Sequence, residues 1–437
     1  MSVGSGRRVA VIGAGISGLG LAHRLTGQAE LTLFEAAGRF GGHACTVSVS
    51  LPGRAGPVSH GVDVGFLVFN QRTYPKLARL LGELGIEPAA SEMSFSVQAP
   101  AISLEWSGRN IDTLFSQRRN LLRPRFWRML ADIARFNRLA TTLAERGAEA
   151  ELIEPLRCFL DRHGFGTEFR TWYFMPMVGS IWSCAAHEVM RFPVGTLIRF
   201  CHNHGLLQWN GRPQWYTVPG GSRSYVQRMV ERLKDARLNT PVRRVSRRSG
   251  IGVRIDTDDG HEWFDEVVFA CHTDQALALL DDATPMERAL LGSIRYRDNL
   301  ALLHTDTRLL PRSRKAWAAW NHEHSPPRPN EDAGACVHYW LNRLQALPFE
   351  QQLVLTLNPR RQPQPGSVID EFRFSHPVFD VGAIEAQRQL PRLQGCQHTW
   401  FCGAWTKYGF HEDGLRSGLE VADSLIERLR ERACAAA

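Results

Sequence analysis

Residues 9–43 constrain the chain more than any other stretch. They read Val-Ala-Val-Ile-Gly-Ala-Gly-Ile-Ser-Gly, then a helical run, then Leu-Thr-Leu-Phe-Glu, then Arg-Phe-Gly-Gly-His. Val9 to Ile12 is a short apolar run suited to a buried parallel strand. Gly13 allows a tight turn, Gly15 removes a side chain that would block a pyrophosphate, and Gly18 lets helix and strand pack closely. Ile16 and Ser17 complete the loop, and the helix after it, Leu19 to Leu25, points its N–H groups and positive dipole end at phosphates. Glu35 follows Gly13 by 22 residues, where a carboxylate accepts both ribose hydroxyls and repels a 2′-phosphate. A glycine triplet alone also suits an ordinary turn. Strand, glycines, helix and acid in this order point to dinucleotide binding.

Two further segments favour FAD over NAD. Arg39-Phe40-Gly41-Gly42-His43 sets a second glycine pair where it can meet the diphosphate. Near the other end come Thr399 to Trp405, with Gly403 and Ala404, and then Gly409 to Gly418, with Gly414 and Leu415. They read as strand, loop and a helix from about Gly414 to Arg432, whose N-terminus can stabilise negative charge on a flavin ring. An NAD dehydrogenase has no need of that return; a plain terminal βα unit is the alternative.

With Asp63-Val64-Gly65 and Val218-Pro219-Gly220-Gly221-Ser222 added, these motifs make the chain resemble the flavin-containing amine oxidase, phytoene desaturase and protoporphyrinogen oxidase superfamily. The resemblance implies FAD as cofactor and an adenine contact through the backbone of Val242. It also implies an α/β fold, a Rossmann-like FAD-binding domain with an inserted α+β substrate domain. The FAD domain is then discontinuous, built from 1–75, 215–275 and 395–437, with 76–214 and 276–394 as the substrate domain.

Length and composition agree with this. The 437 residues suit two or three domains, and 43% hydrophobic with 22% charged residues is ordinary for a globular chain. No apolar run reaches the length of a spanning helix, and no cleavage site follows Arg7-Arg8. Nine cysteines without CxxC pairs point to reduced thiols, a cytoplasmic setting and no structural zinc. Val253 to Ala270 reads as a hairpin returning to the nucleotide sheet, 113–210 as mostly helical, and 295–306, 335–341 and 351–359 as strands.

Arg118, Arg119, Arg123, Arg125 and Arg128 crowd a segment with Leu121, Leu122, Phe126 and Trp127, continued at helical spacing by Met129, Leu130, Ile133 and Phe136. Such a helix can lie at the inner face of an anionic membrane, each basic residue worth about 1 kcal/mol near the surface. The plainer reading, and the one the pattern favours, is a surface helix with a solvated basic face and its apolar face in the core. No nucleic-acid module accompanies the patch.

His202-Asn203-His204 and His322-Glu323-His324 lack the spacing of a zinc pair, so no metal is expected. His411-Glu412-Asp413 lies in the loop that the resemblance sets beside the flavin, with Asp413 also suited to cap the helix at Gly414. His411 and Glu412 are candidates for proton handling. The flavin-bridging lysine of many amine oxidases falls here on Asn299, and one aromatic of their amine-framing pair falls on Phe410. Trp172, Phe174, Met175, Met177, Ile181 and Trp182 suit either a hydrophobic ligand or core packing.

Met93 to Ser96, Gly179 to Ser183 and Tyr408 to Gly414 look like a bacterial group similar to the flavoprotein half of plant cyclopropane fatty acid synthases, and to flavoproteins that desaturate methyl-branched acyl chains. The implied reaction is dehydrogenation of a lipid chain by hydride transfer to flavin N5, with an unspecified electron acceptor. The alternatives are a peroxide-producing amine oxidase and a non-catalytic flavoprotein partner of a lipid-modifying enzyme.

Overall fold

The computed structural model describes residues 7–53, 56–148, 152–208, 211–248, 250–324 and 334–436. Arg8–Ile12 forms the centre of a five-stranded parallel sheet, flanked by Glu30–Phe34 and Glu266–Phe269. Asp235–Arg237 and Thr399–Phe401 form its edges, so distant parts of the chain meet in one sheet. Val11 pairs with Leu33 on one side and Val268 on the other, and all three are fully buried, as a sheet covered on both faces requires.

One face is covered by the helices Ile16–Leu25 and His411–Ala436, which pack closely enough to exclude side chains. A Cβ on Gly418 would stand 2.2 Å from the Ser17 carbonyl oxygen, and one on Gly20 would stand 2.5 Å from Leu415. The glycines of the C-terminal segment therefore bring that helix back onto the first one. The other face carries an antiparallel sheet of Val242–Arg248, Gly252–Thr257 and Gly260–Phe264.

A second sheet has seven strands, in the order Val368–Val378, Arg295–His304, Val354–Leu357, Cys336–Trp340, Trp320–Glu323, Phe95–Ala99 and Leu104–Ser107. Three of these fall within 295–306, 335–341 and 351–359, the segments that read as strands. Helices fill most of 113–210 and pack a large aromatic core beside Phe95–Ala99 and Leu104–Ser107.

One open sequence reading is decided here and one expectation changes. Pro124–Glu145 is a helix whose Phe126, Met129, Ile133 and Phe136 are buried in that aromatic core. Its buried apolar face is therefore not available to a membrane; of the exposed apolar residues nearby, Ile111, Leu121 and Leu122 lie before the helix and Trp127 in its first turn. The terminal helix begins at His411 and not at Gly414. Asp413 does not cap it from outside: its carboxylate reaches back from the first turn to the Phe410 and Tyr408 N–H groups at 3.1 and 3.2 Å, and Arg416 pairs with it. Among the described residues, no helix is long and apolar enough to cross a membrane.

Candidate active site

At the C-terminal end of the parallel sheet the glycine loop opens into a cavity of about 720 Å³. The three glycines answer three different constraints. Gly13 has φ +104°, and a Cβ there would stand 2.7 Å from the Ala270 oxygen. A Cβ on Gly18 would lie 2.0 Å from the Gly13 oxygen. Gly15 is unlike both, with φ −71° and no protein atom within 4 Å of where its Cβ would be. The protein does not itself need glycine at position 15, whereas a diphosphate placed against the loop does.

Glu35 lines the same end and accepts N–H bonds from Ala14 and Ala37, each at 2.9 Å. Each carboxylate oxygen keeps a second lone pair, enough for two ribose hydroxyls. Glu35→Ala is expected to weaken FAD binding by roughly one to two decades. It also strips Ala14 N–H of its partner, so apoprotein stability should fall too. Equilibrium titration and thermal unfolding check both, and unchanged FAD affinity would place the ribose elsewhere.

Gly13, Gly15, Ile16, Ser17, Glu35, Gly41, Gly42, His43, Val242, Gly403, Ala404 and His411 all line this cavity. Four of the expected cofactor residues stand behind its wall. Gly18 backs the loop, Arg39 donates to the Gly42 oxygen at 2.8 Å, Gly414 abuts Ile16 and Ser17, and Leu415 is buried against Gly20. Asp63 ties two other motifs together, since its buried carboxylate accepts from Ser222 N–H, Ser222 Oγ and Thr46 Oγ1. The cavity suits FAD on two counts: the open space at Gly15, and His43 Nε2, which is buried with no hydrogen-bond partner among the described residues.

The three residues expected at the reacting end are separated. His411 lines the cavity, stacked on Phe66 at 4.0 Å, with Nε2 2.7 Å from the Tyr225 hydroxyl. Burial lowers its pKa to about 3, so it is neutral near pH 7 and a weak base. Glu412 turns away from the cavity and accepts the Lys76 and Leu77 N–H groups, each at 3.0 Å, at the start of the helix Pro75–Glu83. It is a helix cap and not a proton carrier beside the ring. Asn299 is buried and off the wall, its amide 3.2 Å from His376 Nδ1.

Beyond the glycine loop the wall becomes aromatic and aliphatic. Phe410 stacks on Phe200 at 5.0 Å and meets Trp182 edge-on at 6.0 Å, with Ile181, Leu206, Trp215, Tyr339 and Leu357 around them. Of the stripe from Trp172 to Trp182, Phe174 and Met177 belong to the core, and only Ile181 and Trp182 reach the cavity. Among the described residues on the wall, Glu35 is the sole Asp, Glu, Lys or Arg. Burial lowers the pKa of every lining histidine, His204 and His376 to about 4.

The His322-Glu323-His324 segment lies outside this cavity. Glu323 pairs there with His338 and Arg361, beside Cys336, so its charge is already balanced by the guanidinium. His322 instead faces Ser180 Oγ at 3.0 Å.

Comparison with known proteins fixes the family. The profile described as flavin containing amine oxidoreductase matches residues 16–303. The chain belongs to that family. It is therefore an FAD-dependent oxidoreductase with a Rossmann-like nucleotide fold. No curated protein matches its sequence. The CLA-producing fatty acid isomerase from P. acnes superposes with a TM-score of 0.69 at 16% identity, covering 97% of this chain and 99% of that one. Putrescine oxidase with bound putrescine gives 0.67 at 15% (96% and 99%), and cyclohexylamine oxidase from Brevibacterium oxydans IH-35A gives 0.64 at 16% (97% and 99%). At such identities the likeness carries the fold alone.

Within this flavin-family cavity, residues that the sequence did not single out stand on or behind the wall. His272 and Tyr296 stack at 4.2 Å, His376 lies beside His43 at 5.2 Å, and Tyr225 holds His411. None sits in a local motif; each is brought there by strand pairing or helix docking.

Proposed function

We propose that this family member dehydrogenates a hydrophobic acyl chain, with residues 1–75, 215–275 and 395–437 holding the FAD. The observation that carries the reading is the composition of the cavity wall. Aromatic faces can frame one ammonium, but a diammonium substrate such as putrescine also calls for a carboxylate or another negative partner in a desolvated site. Beyond Glu35 at the nucleotide loop, the described wall has no further Asp, Glu, Lys or Arg: it offers mainly aromatic rings and aliphatic side chains, with neutral histidines and uncharged polar groups such as Gln275 and Ser375. Such a wall favours a hydrocarbon chain, for which burial contributes about 0.8 kcal/mol per CH₂. The fatty acid isomerase named above has the same fold, which is compatible with this use of it.

Bound FAD would supply the hydride acceptor. The protein's share is to position the chain and keep water out. Anaerobic mixing should show bleaching of the flavin by vesicles of methyl-branched or unsaturated lipids and none by putrescine or monoamines. Bleaching by an amine, with the lipids inert, would replace this reading with amine oxidation.

Access to such a lipid suits a surface made by the turns before the core helix and that helix's own N-terminal end. Ile111, Leu121, Leu122 and Trp127 are exposed there, Leu122 at 87%. Arg118, Arg119, Arg123, Arg125 and Arg128 stand in the same segment, opposed by Asp112 and Glu168. Apolar tips among cations match an anionic bilayer. The protein should therefore sediment with phosphatidylglycerol vesicles at low salt, and the double change Leu122→Glu, Trp127→Glu should abolish this. Equal sedimentation of wild type and variant would remove the membrane from the proposal.

A further inference from the structure

We propose that His376 is the polar contact this cavity offers its occupant: a neutral imidazole, held as the Nε2–H tautomer by Asn299 and Asn358, that donates to an acceptor atom of the bound molecule. The proposal rests on the cavity being the oxidoreductase site and not on which substrate is oxidised.

The tautomer follows from a hydrogen-bond chain anchored on the backbone. Leu300 N–H donates to Asn358 Oδ1 at 3.1 Å, which fixes that amide's orientation. Asn358 Nδ2 then donates to Asn299 Oδ1 at 2.8 Å and to the Ala335 carbonyl at 3.3 Å. Asn299 Nδ2 is left to donate to the Arg297 carbonyl at 3.0 Å, and it faces His376 Nδ1 at 3.2 Å. Turning Asn299 over would set its oxygen against the Arg297 and Phe374 carbonyls, and turning Asn358 would set its NH₂ against Leu300 N–H. Gly334 closes the pair in, since a Cβ there would lie 2.7 Å from Asn358 Nδ2.

Nδ1 of His376 must therefore accept, and the ring proton sits on Nε2. Protonating Nδ1 would bring two donors face to face, so the imidazolium is disfavoured as well. The surroundings act in the same direction: burial opposes any charge, and His272 adds its own charge when protonated. His376 lines the cavity, and its Nε2 has no hydrogen-bond partner among the described residues. A neutral imidazole in this state donates and does not accept, so His376 orients and polarises, and it is not the base that takes a substrate proton. Asn299 acts through it and is a positioning residue.

The acceptor is a carbonyl or carboxylate oxygen of the substrate, or a ring oxygen or nitrogen of the flavin. His-selective ¹⁵N labelling of the holoenzyme, with the His376 signal assigned by its loss in His376→Gln, should report a neutral Nε2–H ring across the near-neutral range. An Nδ1–H ring, or titration near the ordinary histidine value, overturns the proposal. Asn299→Asp should convert the ring to the Nδ1–H form or to imidazolium, whereas Asn299→Leu should release it.

The acceptor's identity is read from His376→Gln without turnover. If it is on the flavin, the midpoint potential of the substrate-free enzyme shifts. If it is on the substrate, the potential stays and the affinity for oleate, followed by perturbation of the flavin spectrum, falls roughly five- to tenfold. An unmoved potential with unchanged oleate affinity overturns the donor role. Failure of oleate to bind the wild type at all counts against the acyl reading, and the nitrogen shifts and potential then decide this one.

Discussion

Gly15→Leu should give an apoprotein as stable as the wild type that binds no FAD, while Gly18→Ala should fail to fold. The two positions lie in one motif and differ in what faces them. Gly15 has φ −71° and ψ 179°, extended backbone that any residue adopts, and a Cβ there meets no protein atom within 4 Å. A side chain at 15 projects only into the cavity. The loss should exceed about a hundredfold in affinity, or roughly 2.7 kcal/mol, because the obstruction falls where the diphosphate must approach the loop. At Gly18 the added carbon would lie 2.0 Å from the Gly13 oxygen, a backbone atom that cannot yield without breaking the turn. Overpacking of that kind costs about 3 kcal/mol or more. Circular dichroism melting of the apoproteins and the visible absorbance of bound flavin separate the two outcomes. Retention of yellow colour by Gly15→Leu would mean that the diphosphate binds away from this loop.

The contrast shows which parts of the site a linear reading reaches. Gly13, Gly15 and Gly18 act within one turn and one helix, so their separate duties can be inferred from spacing alone. The return of the C-terminus is legible for a similar reason, although the sequence suggests Gly414 as the helix start. It is glycine because Ile16 and Ser17 leave no room, the nearest atoms being 2.9 Å from its would-be Cβ, and the helix begins three residues earlier. His376 carried no local sign. Its link to Asn299 is a diagonal across the strands Arg295–His304 and Val368–Val378, whose register pairs Asn299 with Phe374 and Arg297 with His376. The Arg118 to Phe136 segment was ambiguous in principle, since an apolar stripe at helical spacing has the same period whether it meets a core or a membrane. Only the depth of Phe126 and Phe136 in the aromatic cluster decides between them.

Replacing Glu412 by Gln should lower stability and spare the chemistry, the reverse of what an acid beside the flavin would do. Its two carboxylate oxygens take the Lys76 and Leu77 N–H groups separately, so one side chain caps the helix Pro75–Glu83. Gln offers one carbonyl oxygen and turns its NH₂ toward the other N–H, leaving a buried donor unpaired at a cost of about 1–3 kcal/mol. The pH dependence gives a second mark. Burial raises the Glu412 pKa above its ordinary value, outweighing the two N–H bonds that lower it. An acid held higher in the folded state binds more protons there. Its contribution is fullest below the unfolded pKa, about 4.3, and is lost as the pH rises through the folded one. Wild-type stability should therefore carry a declining component across the weakly acid range that is absent from Glu412→Gln. Flavin reduction per bound FAD, by the same acyl lipid that bleaches the wild type, should stay within about twofold, whereas loss of a general base would slow it by roughly 10²–10⁴. A variant that melts like the wild type but no longer accepts electrons would return Glu412 to the chemistry.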